Sequence, residues 1–234
     1  VTVSGYLGSQ TATVNAGDSA RAAAMAINNL TANTGVTATA LTKVRISSLA
    51  DKGAITFSLT GKNVGNPTLI SANISDKSDL TSLADGVNTF TSVTGVTAEL
   101  SSDKTSVTLT NSDGYDIVIS DFTTTSTLTA GNTVAVQALK GDSTNDTTLS
   151  AGGIGTSVSL TSGAADSTRV VGDIYFTSPS AFTVVGASGA TAGADFVPAT
   201  PSSAALVSVS TATIATSNDA QKAIGTIDGA IARI

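Results

Sequence analysis

Aspartate is the main side chain with which this sequence could do chemistry. The chain has no His and no Cys, and Glu99 is its only glutamate. It therefore lacks the commonest general base and the thiolate that serves as nucleophile or zinc ligand. Several aspartates lie within two residues of Gly, Ser or Asn, where a carboxylate bonds the local backbone of a turn: Asp51, Asp76, Asp79, Asp113, Asp142 and Asp146. We predict no catalytic residue, no cofactor site and no metal site.

Two short motifs resemble binding loops without meeting their requirements. The glycine-rich stretch 152–157 has no following Lys and does not open a helix, as a phosphate loop must. The stretch 111–114, Asn-Ser-Asp-Gly, lacks the further oxygen ligands and the terminal Glu of a calcium loop. Both are predicted to be hairpin turns.

Charge and composition exclude further classes of function. The 11 basic residues are scattered singly in a chain of net charge −6, so they cannot follow a phosphate backbone. No run of 18 apolar residues predicts a membrane span, and no classical secretion signal opens the chain. Many Thr, Val and Gly residues with only 4% aromatic residues predict strands and turns around a core of small aliphatic side chains.

The first half of the chain repeats itself at a spacing of 60 residues. Residues 34–38 read Thr-Gly-Val-Thr-Ala, and residues 94–98 read the same. Upstream, Ala24 and Asn28 match Ala84 and Asn88 in the same register. A match of this length in fixed register indicates an internal duplication.

Each copy predicts one helix packed on a small antiparallel sheet. The pairs 18–19 and 78–79 combine Asp and Ser, which can cap a helix, and apolar residues follow at steps of three and four. Helices are therefore expected near 19–32 and 79–91, each ended by the Thr-Gly-Val turn. Strands at 36–46 and 55–59 are assigned to the first copy, and those at 96–100, 107–109 and 115–119 to the second.

The second half predicts short strands between turns, at 133–139, 157–160, 170–176 and 182–185, followed by a loop at 186–201. The expected fold class is α+β and mostly β. It comprises two repeated helix-on-small-antiparallel-sheet units, a further β-rich segment and a C-terminal helix. The predicted division is 1–62 and 63–125 for the two repeat units, 126–205 for the β-rich segment, and 206–234 for a strand and the C-terminal helix.

The C-terminal segment predicts a helix that needs a partner. Apolar residues recur there at steps of three and four, which is the seam pattern of a coiled coil. Gly225 and Gly229 each weaken such a helix by about 1 kcal/mol relative to Ala, so a covering helix is expected. The candidate assembly-interface residues are Ala220, Ala223, Ile224, Ile227, Ile231 and Ile234.

These two features resemble bacterial flagellins. The stretch 220–231, Ala-Gln-Lys-Ala-Ile-Gly-Thr-Ile-Asp-Gly-Ala-Ile, is similar to the flagellin sequence that opens the C-terminal core helix of the filament. The 60-residue repeat, an Ala-rich helix followed by a Thr-Gly-Val turn, is similar to the motif inserted in the variable region of many flagellins.

The resemblance implies a non-catalytic structural subunit of the flagellar filament, extracellular and without a cofactor. Its expected partners are other flagellin subunits, which it would contact through the C-terminal helix and through core segments outside this chain. Host receptors and antibodies are further possible partners, whereas nucleic acid and membrane are not expected. Two alternatives stay open: a carbohydrate- or host-binding adhesin module, which should expose clustered aromatic residues, and a fragment of the filament-capping protein, which shares the repeat.

Overall fold

The structure is a computed structural model, and it describes residues 1–15, 17–126, 132–139, 156–186 and 201–204, together with the single residues 214, 223, 224, 227 and 231. The strand predicted at the start of 206–234 lies outside the described residues, as do most of the glycine-rich stretch 152–157 and of the loop at 186–201. No described helix is long and apolar enough to cross a membrane.

Strands outnumber helices along the described chain. The helices are α1 (Ala20–Asn28), α2 (Thr31–Thr34), α3 (Thr81–Thr89) and α4 (Thr91–Thr94). The strands are β1 (Thr2–Ser4), β2 (Ser9–Thr11), β3 (Thr37–Ser47), β4 (Gly53–Thr60), β5 (Thr68–Ile74), β6 (Thr97–Leu100), β7 (Ser106–Asn111), β8 (Ile117–Thr124), β9 (Thr133–Leu139), β10 (Val158–Thr161), β11 (Thr168–Val170), β12 (Asp173–Thr177), β13 (Phe182–Val185) and β14 (Ser202–Ala204). The predicted α+β, mostly β fold class is confirmed.

Helix α1 begins where the sequence places its cap, whereas α3 begins at Thr81 after Leu80, which makes no side-chain capping bond. The Ser19 hydroxyl accepts a hydrogen bond from the Ala22 N–H at 3.2 Å and so caps α1. In the second copy, the Asp79 carboxylate accepts from the Thr81 N–H at 3.0 Å. The predicted apolar faces are buried in both copies: Ala20, Ala23, Ala24 and Ile27 in α1, and Leu83, Ala84 and Val87 in α3.

The chain forms two compact units, and one interrupts the other in sequence. Unit 1 combines residues 1–40 with residues 174–234, and unit 2 comprises residues 41–173. These units do not follow the predicted boundaries at 62/63 and 125/126. The strand at 55–59, assigned by sequence to the first copy, lies in β4 and pairs with β5 and β8 of unit 2. Sequence periodicity locates the two copies, but strand pairing decides which segments share a core.

Unit 1 is built on a four-stranded sheet of described strands in the order β14-β13-β1-β2. All three of its neighbouring pairs are antiparallel, and Val3 in β1 lies opposite both Val184 and Gln10. Helix α1 contributes to a small core that is made almost entirely of aliphatic residues: Val3, Ala12, Ala24, Ile27, Val36, Ala38 and Val184.

Unit 2 contains a larger core and more strands. One sheet has the order β11-β8-β4-β5, and another runs β10-β9-β3-β7-β6. Strand β12, which pairs with β3, belongs to unit 1 from residue 174 onward. Helix α3 packs against β5 and β6. Phe57 and Phe122 are the aromatic residues buried in this core, and the remainder is aliphatic. The core is therefore large enough to stabilise unit 2 by burial of apolar surface.

Candidate functional site

The two copies of the repeat share a side-chain clamp between helix and strand. The Asn28 amide donates to the Ala38 carbonyl at 2.8 Å and accepts from the Ala38 N–H at 2.7 Å. Asn88 makes the same two bonds to Ala98, at 2.9 and 2.8 Å. One amide thereby satisfies both backbone groups of a strand residue, which fixes the end of the helix against the strand that follows it.

A second shared feature is the turn that follows each helix pair. Thr34 donates to the Leu30 carbonyl at 3.0 Å and accepts from the Val36 N–H at 3.2 Å. Thr94 makes the equivalent bonds to Phe90 and Val96 at the same distances. Gly35 and Gly95 stand in the left-handed region, with φ of 72° and 69°, where a residue without a Cβ is favoured.

A third shared feature is a close backbone approach at a hairpin loop. A Cβ at Gly5 would lie 2.0 Å from the Thr34 carbonyl oxygen, and a Cβ at Gly61 would lie 2.3 Å from that of Thr94. The Lys62 N–H donates to the same Thr94 oxygen at 2.8 Å. The hairpin before each helix is thus docked onto the turn after it, and the repeat closes on itself.

Four aspartates in the turns of unit 2 are engaged by neighbouring donors. Hydroxyl hydrogen bonds, from Ser126 to Asp51, Ser78 to Asp76 and Thr81 to Asp79, lower the pKa of each carboxyl below its ordinary value. A fourth, Asp103, has its pKa lowered in the same way by Ser101. Nearby backbone N–H groups, those of Lys52 for Asp51, Ser78 for Asp76 and Thr81 for Asp79, also donate to these carboxylates, which confirms the predicted turn role of all three. Asp142 and Asp146 lie outside the described residues.

Asp116 differs, because it is largely buried. The Arg169 guanidinium donates to its Oδ2, with the Nε atom at 2.6 Å. Its Oδ1 atom is buried and has no hydrogen-bond partner among the described residues. Burial raises the pKa of Asp116, and the hydrogen bond and charge of Arg169 oppose that rise. This pair joins β11 to the start of β8 across 53 residues of sequence, which no local pattern signals.

A turn forms at 111–114, but the prediction that it closes a hairpin is wrong, because β7 pairs with β3 and β6 whereas β8 pairs with β4 and β11. The Asn111 Oδ1 atom accepts from the N–H groups of Asp113 and Tyr115 at 3.1 and 3.2 Å, and Gly114 has a φ of 73°. Among the described residues, no three acidic side chains are grouped so that they could hold a metal ion. The core of unit 2 contains a cavity of about 10 Å³, lined only by apolar side chains. Neither the turn at 111–114 nor this cavity offers a catalytic group.

The candidate assembly residues are described in part. Ala223, Ile224, Ile227 and Ile231 have helical backbone, whereas Ala220 and Ile234 lie outside the described residues. Ala223 is 6% exposed, but Ile224, Ile227 and Ile231 are 60%, 43% and 62% exposed. An exposed isoleucine series at steps of three and four is the pattern expected of a face that another helix covers. That a partner helix covers these candidate assembly-interface residues, called the seam below, stays a prediction.

Sequence reasoning missed the Asn clamp and the hairpin contact. Asn28 and Asn88 were visible as matched residues at a spacing of 60. An exposed amide repeated in register within a duplicated helix could have suggested a structural bond. No comparable signal existed for Gly5 and Gly61, because they are 56 residues apart and fall out of the 60-residue register.

The clamp, the turn and the docked hairpin define a repeated β-hairpin–helix–strand motif. Residues 1–50, which run from β1 through β3, match the family model for the flagellin hook IN motif. The chain is also similar to the B-type flagellin of Pseudomonas aeruginosa, with 31% identity over 221 residues. That similarity covers 94% of the chain but 41% of the length of the relative. The chain is related to the bacterial flagellins, and the resemblance seen in its sequence is confirmed.

Proposed function

We propose that this chain is part of the outer, variable region of a flagellin and serves as a structural element of the flagellar filament, outside the cell. The observation that carries the proposal is the similarity to a B-type flagellin along 94% of the chain. The match of residues 1–50 to a flagellin motif supports it, and so does the second copy of the same clamp at Asn88.

The proposed role is mechanical rather than catalytic. Flagellins are structural proteins, and the polar side chains described above are used to hold turns and strands. Asn28, Thr34 and Asp79, for example, all bond backbone groups nearby. The exposed surface of such a region would also be what antibodies or host receptors meet on a filament.

The proposed assembly contact is the C-terminal helix. Ile224, Ile227 and Ile231 would pack against core helices of the same or a neighbouring subunit, which would remove their exposed side chains from water. Covering one isoleucine side chain contributes about 1.5–3 kcal/mol, so the three together are sufficient to orient a helix.

A hybrid flagellin tests both parts of the proposal. The portion of the Pseudomonas aeruginosa B-type flagellin that matches this chain would be replaced by it, in cells that lack their own flagellin. We expect filaments by electron microscopy and swimming in soft agar. A hybrid that is exported and folded but forms no filament would contradict the proposed function.

Two single substitutions separate the seam from the rest of the chain. Ile227→Asp places a charge in the seam and should abolish filaments, because an unpaired charge is costly to bury. Val64→Asp is the matched control, since Val64 is 71% exposed in unit 2 and lies outside the seam. Filaments of normal length from both hybrids would contradict the assembly role of the seam while leaving the filament function standing.

A further inference from the structure

The first halves of the two units have the same order of elements. In unit 1 the hairpin β1–β2 leads into α1, α2 and the start of β3; in unit 2 the hairpin β4–β5 leads into α3, α4 and β6. The clamp, the turn and the docked hairpin described above occur at equivalent places in both. The order of elements in these segments is therefore the same as far as the strand that follows the second helix.

The second halves match as well, although their sequences show no repeat. In unit 1 the sheet order is β2-β1-β13-β14, and in unit 2 it is β5-β4-β8-β11. The registers of the central strand pairs agree. Val3 in β1 lies opposite Val184 in β13, and Leu59 in β4 lies opposite Ile119 in β8. The register of the next strand pair agrees too. Val184 in β13 lies opposite Ser202 in β14, and Ile119 in β8 lies opposite Thr168 in β11. Strands β13 and β14 therefore occupy the places of β8 and β11.

The strands that precede β13 and β8 in the chain, which are β12 and β7, are also equivalent. The Thr37 hydroxyl donates to the Thr177 carbonyl at 3.2 Å, which links β3 to β12. The Thr97 hydroxyl donates to the Thr110 carbonyl at 3.3 Å, which links β6 to β7. Thr37 and Thr97 are equivalent in the 60-residue repeat, so β12 occupies the place of β7.

The two units differ in one connection. In unit 2, β6 ends at Leu100 and β7 begins at Ser106, so residues 101–105 close the turn. In unit 1, the equivalent strands are the start of β3 and β12, and the chain between them is residues 41–173, which is unit 2 itself. We infer that unit 2 is a second copy of the fold of unit 1 inserted into this strand connection, and that the turn at 101–105 is the equivalent insertion point, able to accept a further folded domain.

The local structure of the turn is compatible with that role. A hydrogen bond joins the two strands at the base of the turn: the Ser101 N–H donates to the Ser106 carbonyl at 2.9 Å. Residues 102–105 are exposed. The Lys104 carbonyl accepts from the Leu80 N–H at 3.0 Å, and its ammonium pairs with Asp79. An insertion between Ser102 and Asp103 would break the bonds from the Ser101 hydroxyl to Asp103 and from the Lys104 N–H to the Ser101 carbonyl. The bond between Ser101 and Ser106 joins the strand ends outside the insertion point and can be retained.

A guest domain inserted into the full chain tests the inference. The guest would be a small fluorescent domain whose termini lie close together, placed between Ser102 and Asp103. The matched control carries the same guest between Ser112 and Asp113, within the turn at 111–116. There the buried Asn111 accepts hydrogen bonds from Asp113 and Tyr115, and the equivalent connection in unit 1 is short, from Thr177 to Phe182.

The readouts are thermal unfolding and hydrogen exchange of the Ala98 amide, which is bonded to Asn88. We expect the 102/103 insertion to lower Tm by less than about 3 °C and to leave the Ala98 amide protected, and the 112/113 insertion to lower Tm by about 10 °C or to prevent folding. Equal loss of stability in the two chains, or loss of Ala98 protection in the 102/103 chain, would overturn the inference.

Discussion

Gly61→Ala should strongly destabilise unit 2, because the new Cβ has no room. It would lie 2.3 Å from the Thr94 carbonyl oxygen and 2.9 Å from the Val96 Cγ2 atom, both within a buried contact. The hairpin must then move away and lose the hydrogen bond from the Lys62 N–H to Thr94. One lost bond costs about 1 kcal/mol and the overpacked contact about 1–3 kcal/mol, giving a total of about 2–4 kcal/mol.

The matched control is Gly65→Ala in the same loop. Gly65 has a φ of +83°, and a Cβ there would meet nothing within 4 Å. Its substitution should cost only the left-handed strain, about 1 kcal/mol. For a unit of this size 1 kcal/mol lowers Tm by about 3 °C, so we expect about 6–12 °C for Gly61→Ala and about 3 °C for Gly65→Ala.

Circular dichroism melts and hydrogen exchange of the Lys62 amide would measure the two variants. Exchange at Lys62 should accelerate at least tenfold in Gly61→Ala, since about 1.4 kcal/mol of lost protection corresponds to a factor of ten. Gly65→Ala should leave that rate nearly unchanged. If Gly61→Ala lowers the free energy of unfolding by no more than Gly65→Ala does, the hairpin is not docked on the turn. The closed repeat motif is then refuted.

Three further outcomes follow from the same structure. Asn63→Ala should lower the Tm by about 3–6 °C in thermal melts, because its amide bonds two loop positions and one residue in each flanking strand, Leu59 and Thr68. Gly35→Ala should cost more stability than Gly95→Ala in urea titrations, since its Cβ would lie 2.1 Å from the Tyr6 ring whereas the nearest atom at Gly95 is 3.1 Å away in a lysine side chain. Asp79 has a lowered pKa caused first by the Thr81 hydroxyl, so its stabilisation is present above the unfolded pKa and is lost as the pH falls through the folded one. Asp79→Asn should therefore reduce the loss of stability measured between pH 5 and about pH 2.

Local structure was predictable from sequence because its signals are local. The predicted strands at 133–139 and 182–185 have the bounds that the structure gives β9 and β13. Helix α1 begins directly after its predicted cap. A cap, a period of apolar residues and a glycine in the left-handed region act within one or two turns of chain, so they can be read without knowing the fold.

Strand partners were not predictable in the same way. Strand β4 follows β3 in the chain, yet it pairs with β5 and β8. Nothing in the sequence of β4 specifies these partners, because alternating apolar residues fit any sheet with one buried face. The ion pair between Asp116 and Arg169 depends on that same long-range pairing. It could be located only after β11 was known to lie beside β8.

The comparison of the two copies shows what the repeated motif requires. The polar residues identical in both copies, such as Asn28 and Asn88 or Thr34 and Thr94, have side chains that bond backbone groups. A hydrogen bond to the backbone demands one side chain of fixed length and polarity, whatever surrounds it.

Positions that face outward have diverged between the copies. Met25 is 55% exposed in α1, and the residue 60 positions later is Asp85. Since the bonds to the backbone fix the fold and the outward side chains do not, the surface of the motif can change while its framework is retained. That separation suits the role proposed above, in the outer region of a filament.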